Sequence, residues 1–142
     1  EVFNERGRSV VALEAIPQER IGAYGVIDGK ALDDRIWQIQ NFVEKPLPGE
    51  APSEFAVVGR YVLTPQIFDI LEQTKPDERG EIQLTDALRV LCQDEPVFGL
   101  IFDGRRYDAG NVLGFLEATV ELALKRPDLS ETFRNYLKSL SL

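Results

Sequence analysis

The residues that could do chemistry begin with the adjacent pair Glu44 and Lys45, in the stretch Phe42-Val43-Glu44-Lys45-Pro46. A carboxylate can accept two sugar hydroxyls, and an ammonium can stabilise a phosphate oxygen. The pair closes an apolar-rich run from Ile36 to Val43 that reads as a β-strand. Successive strand side chains point to opposite faces, so Glu44 and Lys45 are predicted to diverge from one backbone position. Pro46 has no N–H to continue a ladder, so it ends the strand and sets the pair at its edge. The same two residues also read as a solvated ion pair, a common surface feature that is worth little.

Three further positions stand out. Gly59 interrupts an otherwise bulky strand, which marks a bulge, a close approach by a ligand, or packing against a helix. Gly25, just after Tyr24, carries the same ambiguity. Asp108 lies between a strand end and a helix start, flanked by Tyr107 and Gly110. Loops at the carboxyl ends of strands are where α/β sheets place ligands, yet an aspartate there also serves as a turn or cap. Mg²⁺ typically takes one or two carboxylates plus substrate phosphates, so a lone aspartate is a partial signal for metal. Arg60, Arg105 and Arg106 could meet phosphate or form structural ion pairs. Histidine is absent altogether, which removes every Ser-His, Cys-His and His-metal scheme.

The elements that must position these residues follow from periodicity. Residues 1–7 read as the end of a helix stopped by Gly7; together with the absence of methionine, they predict a piece of a longer protein. Residues 9–16 form a short strand, 17–20 a turn or single helical turn, and 24–27 a second strand. Asp28-Gly29 is a hairpin signal, and 36–45 returns as the partner strand. On it Trp37, Ile39 and Val43 are predicted to share one face, and Gln38, Gln40, Phe42 and Glu44 the other. Residues 46–53 (PLPGEAPS) make a connection within a domain. The nearly continuous apolar run 56–63 predicts a strand covered on both faces. Thr64-Pro65 then caps a helix with proline at its first position, and Ile67, Phe68 and Leu71 form its buried stripe. Residues 81–93 form another helix, with Leu84, Leu88 and Leu91 on one side and Glu81 at its positive end. Residues 97–102 are a strand. Asn111 caps a helix carrying Leu113, Leu116, Val120 and Leu124 at helical spacing. Pro127 stops it, and Asp128 with Glu131 forms a capping box for a last helix. Strands and helices alternate, then helices accumulate: an α/β protein with a mixed sheet, flanking helices and a helical C-terminal tail.

With 142 residues the chain can bury a real core as a single domain. Its 16 basic against 24 acidic residues give a net charge of −8. That argues against a nucleic-acid surface, which needs a basic stripe. No apolar run approaches the ~20 residues of a membrane helix, and no signal-peptide pattern opens the sequence. The single cysteine, Cys92, supports neither a disulfide framework nor a zinc cluster. A reducing cytoplasm is the expected location.

The successive strings YGVIDG, FVEKP, FAVVGRYVLTPQIFDIL, GEIQLTDAL and RRYDAGNVLGFLEATVELALKRPDL resemble, in that order, the bacterial UTP–glucose-1-phosphate uridylyltransferases. The likeness spans residues 9 to about 130. It implies part of a Rossmann-like, glycosyltransferase-A-like nucleotidyltransferase fold. It also implies transfer between UTP and glucose 1-phosphate to give UDP-glucose and pyrophosphate, assisted by Mg²⁺. Carried over, Gly25 would offer backbone contacts to the sugar and Glu44 would bind its hydroxyls. Lys45 would act on the sugar phosphate as the catalytic cation, Gly59 would let the sugar approach, and Asp108 would ligate Mg²⁺. The C-terminal helices would serve a homo-oligomer, dimer or tetramer. Arg79, where a glycine is usual, and Asn111-Val112, where Asp-Lys is usual, depart from the pattern. The Gly-rich nucleotide loop and a second metal aspartate have no counterpart, so the chain would hold the sugar side of a site alone. A thymidylyl- or cytidylyltransferase acting on the same sugar phosphate, or a non-catalytic binding or oligomerisation module, remains open at this stage.

Overall fold

The computed structural model describes residues 1–47 and 49–140; Pro48, in the 46–53 connection, and residues 141–142 lie outside the described residues. It divides into two units, Glu1–Phe102 and Asp103–Leu142.

The first unit opens with helix α1 (Val2–Arg6), ended as expected by Gly7 in the left-handed region at φ 60°. Then come β1 (Val10–Ala15), α2 (Gln18–Ile21), β2 (Gly25–Ala31), β3 (Ile36–Glu44), β4 (Phe55–Val62), α3 (Gln66–Gln73), α4 (Leu84–Asp94) and β5 (Val97–Ile101). The sheet is mixed, as predicted: β5 runs parallel to β1 and the other pairings are antiparallel. It also closes on itself, in the order β1-β4-β2-β3-β5, into a small barrel. Two bulges interrupt the pairing, and the extra residues at each sharpen the local twist. On β3, Asp28 pairs with Asn41 but Gly29 with Ile39, leaving Gln40 unmatched. On β4, Val11 pairs with Tyr61 but Leu13 with Val57, so residues 58–60 face the single Ala12.

The core gathers Val11, Leu13, Ile27, Ile39, Phe42 and Val97 from the barrel against Ile67 of α3 and Ala87, Leu88 and Leu91 of α4. Burying each of the larger aliphatic side chains contributes about 1.5–3 kcal/mol, which is what fastens α4 across β3. The bulge at Gln40 corrects the strict alternation expected on β3. It resets the pleat, so Ile39 and Phe42 are both buried in one cluster.

Other expectations also shift. The chain does not turn at Asp28-Gly29 but continues to Ala31 and turns at 32–35. There the Asp33 carboxylate accepts the N–H groups of Arg35 (2.8 Å) and Ile36 (2.7 Å). These bonds hold Asp33 below its ordinary pKa. Gly29 is required for a different reason: a Cβ there would lie 2.5 Å from the Gln38 carbonyl oxygen. Strand β4 is covered only in its first half, with Val62 51% exposed. On α3 the inward residues are Ile67, Ile70 and Leu71, whereas Phe68 is 68% exposed. Helix α4 starts at Leu84, leaving Glu81 in the preceding loop. The Thr64 hydroxyl does not cap α3; it donates to Glu95 at 2.6 Å beside the buried Ser9.

The second unit holds a loop followed by α5 (Val112–Lys125) and α6 (Ser130–Ser139). Asn111 caps α5 as predicted, its side-chain oxygen accepting from Gly114 N–H at 2.8 Å. No residue of α5 is buried, and Leu113 and Leu116 are exposed. The expected Asp128–Glu131 capping box does not form. Arg126 claims the Asp128 carboxylate through two bonds, at 3.0 and 2.5 Å, and α6 starts without a side-chain cap.

Candidate functional site

Glu44 ends β3 directly opposite Gly25 of β2. Its neighbour Lys45 leaves the strand at φ 46°, the only positive φ outside glycine among the described residues. A left-handed L-residue costs about 1–2 kcal/mol, and such strain gathers at sites where the surroundings over-determine the backbone. The turn overrides strand alternation. The two side chains therefore do not diverge as predicted; Lys45 Nζ lies 3.5 Å from Glu44 Oε1. The lysine stays open to solvent, with 55% of its side chain exposed against 31% for Glu44. Its backbone N–H extends the ladder one step, to Tyr24 O at 3.0 Å.

The second Glu44 oxygen is held from the other side. Thr85, in the first turn of α4, donates its hydroxyl to Glu44 Oε2 at 2.7 Å, the short distance of a bond to a charged acceptor. Gly25 makes room for this, since a Cβ there would come within 3.1 Å of Glu44 Oε2 and 3.4 Å of Thr85 Oγ1. Glu44 and Lys45 open onto a cleft of about 330 Å³ walled by residues of the 77–83 loop. A larger groove of about 800 Å³ lies between α3 and α4 and includes none of the five predicted residues. Volume alone does not make a binding site; a few placed polar groups do, and the smaller cleft holds the Glu44 carboxylate and the Lys45 ammonium side by side.

Asp77 organises the cleft's loop. Its Oδ1 accepts from Arg79 N–H (2.8 Å) and Glu81 N–H (2.9 Å), and its Oδ2 from the Gln83 amide (2.9 Å). The Glu81 N–H, then Gln83, hold this carboxyl below its ordinary 3.8. A depressed folded pKa contributes stability that is present above the unfolded value and lost as pH falls through the lower folded one. We therefore expect Asp77→Ala to speed amide exchange at Glu81 at neutral pH. The wild-type loop should lose the corresponding protection, relative to intrinsic exchange at each pH, only on acidification below about 3.8. Equal exchange in both proteins at neutral pH would remove Asp77 from this role.

On β4, Gly59 sits in the bulge at φ 76°, and among the described residues no atom beyond its chain neighbours lies within 4 Å of where a Cβ would be. No described helix packs there, and the positive φ is the reason the structure gives for glycine. Two residues on, burial and then the Glu44 charge raise the Tyr61 phenol above its ordinary 10.0, keeping it a donor.

Asp108 lies in the second unit. Its Oδ1 accepts from Gly110 N–H at 3.0 Å, and its backbone oxygen from the Asn111 side chain at 3.2 Å. Tyr107 donates to Glu121 at 2.6 Å, and Arg105 pairs with Glu117 at 3.0 Å and with Glu121. Arg105 thus has a structural use, tying the loop to α5. Among the described residues no three His, Cys, Asp or Glu side chains converge as a metal site. Asp108 is thus a lone carboxylate in its loop, with one oxygen already accepting from Gly110 N–H.

Gly25, Glu44 and Lys45 are therefore brought together, while Asp108 belongs to a separate unit. Thr85 and Asp77 were not singled out from sequence. The available signal for Thr85 was a hydroxyl in the first turn of a helix, where capping is the usual explanation.

The nucleotidyl transferase family profile matches residues 2–125. A UTP–glucose-1-phosphate uridylyltransferase of Staphylococcus epidermidis is 42% identical over 142 residues, covering 100% of this chain and 49% of that protein. A solved UDP-glucose pyrophosphorylase complexed with UDP-glucose is 43% identical with a TM-score of 0.81, over 88% of this chain and 48% of that one. The UTP-bound enzyme of Acinetobacter baumannii is 34% identical with a TM-score of 0.87, over 99% of this chain and 48% of its own. The chain spans about half the length of these relatives. It belongs to the nucleotidyl transferase family.

Proposed function

We propose that this chain is the sugar-phosphate-binding C-terminal half of a UTP–glucose-1-phosphate uridylyltransferase with a glycosyltransferase-A-like fold. The observation that carries the reading is the Glu44 carboxylate, anchored by Thr85 on one oxygen and paired with an exposed ammonium on the other. Glu44 would accept glucose hydroxyls, with Gly25 and the open bulge at Gly59 giving the sugar access to the strands. Lys45 would move from Glu44 to the sugar phosphate. A part-exposed ion pair is worth about 0.2–1 kcal/mol, so a phosphate, with more charge and more acceptors, can displace it.

In the reaction, a glucose 1-phosphate oxygen forms a bond to the α-phosphorus of UTP while the bond from that phosphorus to pyrophosphate breaks. Positioning and charge stabilisation can carry such a transfer without a histidine base. Asp108 would contribute one carboxylate to Mg²⁺, which when bound neutralises phosphate charge. The substrates are UTP and glucose 1-phosphate, and the net charge of −8 supports a partner list without nucleic acid. A cytoplasmic homo-oligomer is the proposed setting, and the exposed apolar residues of α5 support assembly.

Because this chain would hold one substrate of two, the isolated 142-residue protein is expected to give no pyrophosphate exchange from UDP-glucose. The full-length protein should do so, and should prefer UTP over dTTP and CTP in synthesis. Robust turnover by the 142-residue chain would refute the dependence, and a full-length protein inactive with every nucleotide would refute the function.

A further inference from the structure

We infer that Thr85 is a positioning residue that aims the Glu44 carboxylate at the sugar. The inference deepens the function proposed above and rests on its assignment of Glu44 to the sugar hydroxyls. Three observations meet at this point. Thr85 Oγ1 donates to Glu44 Oε2 at 2.7 Å. Lys45 reaches only the other oxygen, Oε1, at 3.5 Å. Gly25, paired in register with Glu44, leaves the space that a Cβ would take from both partners.

The division of oxygens matters. When Lys45 turns to a phosphate, Glu44 loses its partner on Oε1 and would be free to change rotamer. The Thr85 bond persists through that exchange and fixes the plane of the carboxylate, leaving Oε1 directed into the cleft to accept hydroxyls. It comes from the first turn of α4, whose Leu88 and Leu91 are fully buried. The donor therefore sits on a rigid element rather than on a loop, and the positive end of the helix favours a carboxylate there.

The test uses the full-length protein, with UDP-glucose and its monodeoxyglucose analogues as ligands. Thr85→Val, close in shape but lacking the donor, should raise the Kd for UDP-glucose about tenfold, because a carboxylate no longer held must be ordered on binding and accepts the hydroxyls less well. Its kcat should stay within about twofold, since the bond is present before and during transfer. Thr85→Ser should restore wild-type affinity. In wild type, removing the hydroxyl that Glu44 accepts should weaken binding, and in Thr85→Val that penalty should shrink. Thr85→Ala, read with the same ligands, substitutes if the valine variant does not fold.

Glu44→Ala separates the two levels. If it leaves UDP-glucose affinity unchanged, the sugar-binding reading falls and this inference with it. If it weakens binding while Thr85→Val and Thr85→Ala do not, the positioning role alone is overturned. The same holds if Thr85→Val weakens binding but serine fails to rescue it or the deoxy penalty is unchanged, which would make Thr85 a packing residue.

Discussion

Lys45→Ala is expected to lower the kcat of the full-length protein by on the order of 10²-fold or more, the usual loss when a charge contact to a transition state is removed. The geometry explains why the loss should fall on the rate rather than on stability. The lysine side chain is exposed and its ion pair with Glu44 is weak and part-solvated. The variant should therefore unfold within about a degree or two of wild type. Lys45 is also in the left-handed region at φ 46°, so a lost rate could reflect backbone rather than amine. Lys45→Gly distinguishes the two. Glycine relaxes this conformation, so the variant should be more stable than Lys45→Ala by about 1 kcal/mol while losing the same rate. Arginine should recover only part of the rate, because a planar fork does not replace a compact point charge. An unchanged kcat in Lys45→Ala would return Glu44–Lys45 to an ordinary surface ion pair.

Most of the fold that surrounds this pair was legible in the sequence because it follows from local pattern. Gly7, Pro46, Asn111 and Pro127 mark element ends through backbone chemistry that depends on the residue itself, and the structure respects each of them. What was not legible came from pairings across the sheet. The unmatched Gln40 is visible only once β2 lies beside β3, yet it decides that Ile39 and Phe42 bury together. The turn at Asp33 displaced the stronger Asp-Gly signal because Gly29 was needed for close approach to Gln38 instead. The site divides in the same way. Glu44 and Lys45 could be singled out by type and spacing, and the resemblance of the whole chain gave them roles. Their convergence, and Thr85 41 residues away in sequence, required the strand end, the left-handed turn and α4 to be in place. Phe68 and the second half of β4 read as buried because their composition is apolar. Their exposure accords with a chain that spans half of its relatives' length.

Gly114→Ala in α5 is expected to destabilise the second unit, against the direction that helix propensity demands. Alanine is favoured over glycine by about 0.8–1.0 kcal/mol in a helix interior, an upper bound for a first-turn position, so propensity alone predicts a protein at least as stable. A Cβ at Gly114, however, would lie 2.1 Å from the Asp108 backbone oxygen and 3.2 Å from Asn111 Nδ2. Neither contact can be relieved by a flexible side-chain end, because the first is backbone and the second belongs to the cap. The loop must move away, breaking the Asn111 bonds to Gly114 N–H and to Asp108 O. Overpacking costs about 1–3 kcal/mol and a lost N-cap about 1 kcal/mol, so the clash outweighs the propensity gain. Amide exchange in the first turn of α5 should accelerate, starting at Gly114, while the barrel amides of the first unit keep their protection. Asn111→Ala provides the comparison: it removes the cap without the clash and should cost about 1 kcal/mol, less than Gly114→Ala. A Gly114→Ala protein that is more stable by the propensity increment would show that α5 does not press against the Asp108 loop. The residue proposed to meet Mg²⁺ would then lack the support that holds it in place.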